Sequence, residues 1–184
     1  MTVQIRIATQ ADVKDIVATV NHYAAQNLML WRTPAQIEAV LSGFLVAEDA
    51  DSGQVAGCGS IVELTPQLAE VRSLAVAPDY RSHGLGRQLV AALVEMARAC
   101  GYEQVCALTL REGFFNGLGF ATVDRWALAP KIWQECVYCS KFHACDEIAV
   151  LMNLTQPAEA PAARVPTGVP GSLHRGWAWL SSKS

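Results

Sequence analysis

The stretch Ser73-Leu74-Ala75-Val76-Ala77-Pro78-Asp79-Tyr80-Arg81-Ser82-His83-Gly84-Leu85-Gly86-Arg87-Gln88-Leu89 constrains the fold more than any other part of the chain. A strand-like segment stops at Pro78, a short turn follows, and an amphipathic helix begins on glycines. The first N–H groups of a helix have no partner within it and lie at the positive end of its dipole. A strand that leads directly into such a helix start forms an anion site suited to a phosphate or pyrophosphate. Glycine there lets the phosphate approach the backbone with no Cβ between them. No Gly-Lys-Ser/Thr is present, which excludes a nucleoside-triphosphate P-loop. Position 89 is Leu where a dinucleotide fingerprint needs a third glycine. Taken alone, the glycine pattern fits an ordinary softened helix cap equally well.

Periodicity supplies the flanking elements. Alternation of Val3, Ile5 and Ile7 with Gln4 and Arg6 predicts a strand over 3–7. Thr9 and Asp12 form an N-cap pair, and Val13, Ile16, Val17, Val20 and Ala24 follow helical spacing. Thr33-Pro34 starts a second helix, with Ile37, Val40 and Leu41 turned inward. Strands over 44–47 and 55–64 make a hairpin around Asp51-Ser52-Gly53. In the strand over 69–76, Glu70, Arg72, Leu74 and Val76 are expected on one face, and Val71, Ser73 and Ala75 on the other. A helix over 84–100 ends at Gly101. A strand over 105–110, a short helix over 113–118, a strand over 121–123, a short helix over 131–137 and a last strand over 147–153 complete the pattern.

Residues 155–184 carry four of the eight prolines among Ala and Gly, so a mostly disordered tail is expected beyond a domain over 1–154. The apolar end of that tail, with Trp177 and Trp179, leaves open a docking role on the domain or on a partner. The chain has 14 Lys and Arg against 17 Asp and Glu; three of the former and one of the latter lie in 155–184, so residues 1–154 hold 11 and 16, a net −5. An acidic domain is a poor ligand for phosphate backbones, so no nucleic-acid partner is expected. No apolar run approaches a membrane span and the N-terminus has no signal-like apolar region, so a cytoplasmic protein with reduced cysteines and no membrane partner is expected. Cys58, Cys100 and Cys106 sit singly in apolar surroundings, as buried small hydrophobes do. Cys136, Cys139 and Cys145, with His143 among them, have the ligand types of a zinc site. Their spacing falls short of paired Cys-x-x-Cys motifs, so free thiols and no metal are expected.

Arg81-x-x-Gly84-x-Gly86 after a strand ending Leu74-Ala75-Val76 resembles motif A of the GNAT superfamily of N-acetyltransferases. Phe114-Phe115-Asn116-Gly117-Leu118-Gly119-Phe120 is similar to a later segment of that family, and the element order matches over about 3–154. The resemblance implies an α+β GNAT fold, with a central mixed, mostly antiparallel sheet flanked by helices. It also implies acetyl-CoA as cosubstrate, with its pyrophosphate held by the glycine loop. Glu70-Val71-Arg72-Ser73-Leu74-Ala75-Val76, Leu108-Thr109-Leu110, Phe114-Phe115 and the segment from Trp133 to Glu147 resemble the short bacterial N-acetylglutamate synthases. That subgroup acetylates the α-amino group of L-glutamate, the first step of arginine biosynthesis. A GNAT enzyme for another small amine and a noncatalytic acetyl-CoA-binding module are the alternatives. A homodimer is left open.

Acetyl transfer to an amine requires proton removal from the amine, stabilisation of the developing oxyanion and departure of the thiolate. Glu70 matches the position of the family's general-base glutamate, and Glu63 on the adjacent strand is the reserve. A backbone N–H near Val76 is expected as oxyanion donor, since the resemblance implies that this strand splays from the next. Leu74, Val76, Arg81, Ser82, His83, Gly84, Leu85, Gly86 and Arg87 are expected against the cofactor. Many family members place a tyrosine general acid four residues before the Gly of Gly-Phe; here Phe115 has no proton to give, and it is expected against the pantetheine arm or in the core. Arg72 and Arg111, with Lys131 and Lys141 as weaker candidates, are expected to hold the carboxylate of an amino-acid acceptor, since a guanidinium fork binds a carboxylate through two parallel bonds.

Overall fold

Apolar residues alternate along seven segments and recur at helical spacing in the segments between them, which produces one sheet with helices on both faces. The computed structural model describes residues 2–139 and 141–154. The tail over 155–184, with Trp177 and Trp179, lies outside the described residues. The strands are β1 (Val3–Ile7), β2 (Phe44–Asp49), β3 (Val55–Thr65), β4 (Leu68–Val76), β5 (Gln104–Thr109), β6 (Ala121–Val123) and β7 (Ile148–Asn153). The helices are α1 (Val13–Ala24), α2 (Pro34–Glu38), α3 (Leu85–Ala99), α4 (Glu112–Asn116) and α5 (Ala129–Gln134). The sheet order is β1-β2-β3-β4-β5-β7-β6. Every neighbouring pair is antiparallel except β4 and β5, which are parallel and joined through α3. This is the α+β, mostly antiparallel architecture expected.

The helix starts follow from local chemistry. Thr33 Oγ1 accepts from Gln36 N–H at 3.3 Å, with Pro34 next in line at the first helical position. Asp12 Oδ2 accepts from the backbone N–H and the hydroxyl of Thr9, at 2.7 and 2.8 Å. The predicted helix over 131–137 begins earlier, because Pro130 stands in its first turn, and stops at Gln134. Glu135 leaves helical geometry (φ −137°, ψ −46°), and Cys136–Tyr138 form a separate 3₁₀ turn.

One face of the sheet packs on α3, where Leu89, Leu93, Met96 and Ala97 meet Leu45, Ala56, Val71 and Val105. On the other face, Ile16 and Val20 of α1 and Ile37 of α2 meet Phe44, Val46, Cys58 and Ala75. Full burial of each large aliphatic side chain contributes about 1.5–3 kcal/mol, so these two layers dominate stability. A third cluster joins Leu64, Leu68, Cys106 and Ala149 to Leu128, just before α5. Cys58, Cys100 and Cys106 are buried, and burial pushes their thiols up to about 12, 11 and 12. None is a thiolate at neutral pH. Among the described residues, no helix is long and apolar enough to cross a membrane.

Two departures from regular pairing shape the sheet around β4. Cys58 pairs with Ala75 and Ser60 with Arg72, so Gly59 alone faces both Ser73 and Leu74. This is a β-bulge, and Ser73 takes φ 51° to accommodate it. The bulge corrects the expected alternation: Glu70 and Arg72 meet charged residues of the α5 segment, whereas Leu74 and Val76 pack with Val71 against the α3 cluster. The second departure is a split. The parallel ladder between β4 and β5 ends at Glu70 opposite Cys106, while β4 runs on to Val76 and β5 follows β7 as far as Thr109 opposite Ile148.

Candidate active site

A cleft of about 1410 Å³ opens at this split. It exceeds the ~300–1,000 Å³ of an ordinary small-molecule site, so it has room for two ligands side by side. Its lining runs from the start of α3, across the exposed edge of β4, to α5 and the segment before β7.

At one end lies the start of α3. Gly84 caps α3 in the left-handed region (φ 74°), and Ser82 precedes it with φ 68°. The helix's first backbone bond runs from Arg87 N–H to Gly84 O at 3.0 Å, so the Leu85 and Gly86 amides have no backbone acceptor among the described residues. Arg81, Ser82, Gly84, Leu85, Gly86 and Arg87 all line the cleft. The two glycines differ. A Cβ on Gly84 would stand in open space, with nothing within 4 Å, whereas one on Gly86 would pack on the Phe114 ring at 3.5 Å. The His83 side chain is exposed in the turn before α3 and is not among the residues lining the cleft. Phe115 is 5% exposed and stacks edge-to-face with both Phe114 and Phe120, so it is mainly a core residue.

In the middle, the backbone of β4 faces the opening. Ala77 N–H donates to Ala56 O at 2.9 Å on the β3 side. By strand alternation the N–H and C=O of Val76 point the other way, into the split. The Val76 carbonyl accepts a hydrogen bond from the Tyr23 hydroxyl, and that hydroxyl in turn accepts from Arg81 Nε at 2.9 Å. Arg81 also lies over the Tyr23 ring, 4.9 Å from its centre.

At the far end four charged side chains join. Glu70 Oε2 pairs with Arg72 Nε and, at 2.9 Å, with Lys131 Nζ. Glu135 reaches both cations, with Lys131 Nζ at 2.7 Å from its Oε2 and Arg72 Nη2 against its Oε1. Burial alone lowers the Arg72 guanidinium, but Glu70 and Glu135 more than offset this and raise it. Burial raises the Glu135 carboxyl, and the Lys131 and Arg72 cations reverse that and hold it below its ordinary value. Glu70 and Arg72, expected as base and carboxylate holder, are ion-paired directly. Lys131, expected on the substrate, holds Glu70 and Glu135.

Arg111, exposed at the end of β5, lines the cleft and forms no ion pair among the described residues. Lys141 Nζ instead donates to Asn27 O at 3.2 Å. Glu63 is on the opposite face from Glu70, since Val62 is the residue paired with Glu70; it accepts from the Tyr102 hydroxyl at 3.0 Å, which removes it as a reserve base. Cys136, Cys139 and Cys145 line the cleft as free thiols, and among the described residues no three His, Cys, Asp or Glu side chains gather into a metal-binding group.

Two cleft carboxylates were not predicted from sequence. Glu135 carried no signal beyond its i,i+4 spacing from Lys131. Glu147, just before β7, lines the cleft near Cys145. Burial pushes its carboxyl up; Lys131 opposes this and Glu70 reinforces it.

A model of the Acetyltransferase (GNAT) family matches residues 12–120. The chain is 38% identical to an uncharacterized N-acetyltransferase of Chlorobaculum tepidum over 150 residues, 82% of this chain and 96% of that protein. It is 33% identical over 132 residues to the amino-acid acetyltransferase of Mycobacterium tuberculosis, 71% of this chain and 75% of that one. A solved structure from Mycobacterium tuberculosis, in complex with CoA and NLQ, is 26% identical with a TM-score of 0.72, covering 82% of this chain and 99% of that one. The chain belongs to the GNAT family of acetyltransferases.

Proposed function

We propose that this acetyltransferase moves the acetyl group of acetyl-CoA to the α-amino group of a free amino acid, with L-glutamate the foremost acceptor and the cytoplasm its place of work. The observation that carries the reading is the order of groups along one cleft: an anion-binding helix start, an exposed strand edge, then a cluster of two cations and a buried carboxylate. The similarity to an amino-acid acetyltransferase supports it.

The proposed steps use these groups in order. The pyrophosphate of acetyl-CoA lies on the start of α3 at Gly84, and the thioester lies along the edge of β4. The Val76 amide donates to the carbonyl oxygen as it gains charge. Glu70 takes the amine's proton, directly or through a water. Both cations sit on its Oε2, so Oε1 is the oxygen that does this. Arg72 and Arg111 receive the acceptor's carboxylates. The thiolate leaves without a tyrosine acid, since position 115 is Phe.

A panel of free amino acids with acetyl-CoA, followed by thiol release, tests the reading. Glutamate is expected to turn over, and amino-acid amides to be poor acceptors. Arg72→Lys keeps the charge but loses the fork, so KM for the amino acid is expected to rise while acetyl-CoA affinity holds. Equal turnover of amides or simple polyamines would instead favour a GNAT enzyme for another small amine. Binding of acetyl-CoA without turnover on any amine would favour a noncatalytic module.

The cysteines are expected to act as thiols that wall the acceptor end. Elemental analysis of the purified protein should then find no stoichiometric zinc. About one zinc per chain, lost in Cys139→Ser, would reverse this assignment.

A further inference from the structure

The charge cluster is already neutral before any acceptor arrives. Arg72 and Lys131 face Glu70 and Glu135, two cations against two carboxylates. An acceptor carboxylate that is to pair with Arg72 or Lys131 meets cations already held by Glu70 and Glu135, so it competes with one of these for its place. The four side chains differ in their freedom to give way: Glu70 is 4% exposed, Lys131 10%, Arg72 14% and Glu135 39%. Glu70 is held inside the sheet on β4. Glu135 stands beyond the last residue of α5, with its backbone already outside helical geometry, and it lines the cleft.

Glu135 reaches the two cations through separate oxygens, Oε1 against Arg72 Nη2 and Oε2 2.7 Å from Lys131 Nζ. An acceptor carboxylate aligned with the guanidinium fork would need that same side of Arg72.

We propose that Glu135 is a built-in stand-in for the acceptor's carboxylate: it holds Arg72 and Lys131 in the substrate-free protein and yields that place when the acceptor binds. The inference rests on the amino-acid reading above. Its consequence is a specificity filter. Only an acceptor whose carboxylate displaces Glu135 gains the cation pair, so amines lacking one meet a cluster that is already closed. Acceptor affinity is then the difference between two carboxylates competing for one seat. The Glu135 carboxyl is held below its ordinary value by Lys131 and Arg72, so the competitor is charged at neutral pH.

The test is Glu135→Gln, which keeps shape and removes charge. KM for L-glutamate is expected to fall roughly fivefold or more, with KM for acetyl-CoA unchanged. Glutarate, a dicarboxylate with no amine, is expected to bind the variant more tightly than wild type by calorimetry, which separates carboxylate binding from turnover. If a folded Glu135→Gln protein binds glutarate and glutamate no better than wild type, or worse, Glu135 only anchors Lys131 and the inference is overturned. Should Glu135→Gln fail to fold, Glu135→Asp is read in the same way: one methylene shorter, it no longer spans both cations and should lower KM in the same direction. If wild type and variant both ignore glutarate and the wild type acetylates an uncharged amine, the amino-acid reading itself has failed, and the inference falls with it.

Discussion

A Gly84→Val protein is expected to fold but to lose acetyl-CoA binding. Gly84 caps α3 in the left-handed region, and a Cβ there would meet no protein atom within 4 Å. It would project into the open space beside the first amides of α3, where a pyrophosphate is to sit. Placing an L-residue in that backbone region costs about 1–2 kcal/mol, a fraction of the ~5–15 kcal/mol by which domains are stable, so a melting curve should show a folded protein. The ligand loses more. Valine's two methyls would crowd the helix start at which the phosphate is expected to meet the Leu85 and Gly86 amides. Gly86→Ala is the contrasting control, because its Cβ would make ordinary contact with the Phe114 ring at 3.5 Å and with Val76 Cγ2 at 3.8 Å. Calorimetric titration should show binding lost in the first and largely kept in the second. Unchanged affinity in folded Gly84→Val would remove the pyrophosphate from this loop.

The contrast between those glycines shows how far residue patterns reach. Element order, the glycine loop and the cleft residues Arg81, Ser82, Gly84 and Arg87 were legible because periodicity and helix-start chemistry are local. The bulge at Ser73 was not. It depends on how β3 pairs with β4, and serine is not a residue whose presence announces a positive φ. Its effect is large, because it turns Leu74 and Val76 to the other face from Glu70 and Arg72. The ion pairs were illegible for a related reason: Lys131 and Glu135 come from a segment some sixty residues further along, which only the packing of α5 brings to β4. Glu63 was misplaced because register, and not proximity in sequence, decides which face a strand residue occupies.

Glu70→Gln is expected to lower kcat by roughly 10²–10⁴-fold, the usual worth of a positioned base, with a much smaller change in KM. Two roles for Glu70 predict different results, since it holds Arg72 and Lys131 as well as facing the amine. Outright rupture of a buried ion pair costs about 3–5 kcal/mol. Here Glu135 remains on both cations, so the loss is smaller and the variant is expected to fold. If Glu70 acted only as an anchor, releasing the cations would change acceptor binding, so KM would move and kcat would survive within a few-fold. If it is also the base, kcat collapses by far more than KM moves, and the limb of the pH–rate profile that reports the base disappears. Glu147→Gln completes the comparison. Glu147 is a half-buried carboxylate of the same cleft, and burial pushes its carboxyl upward, the direction that favours proton acceptance. A large kcat loss in Glu147→Gln alongside a surviving Glu70→Gln would move the base from β4 to the segment before β7, leaving Glu70 as the anchor of the cation pair.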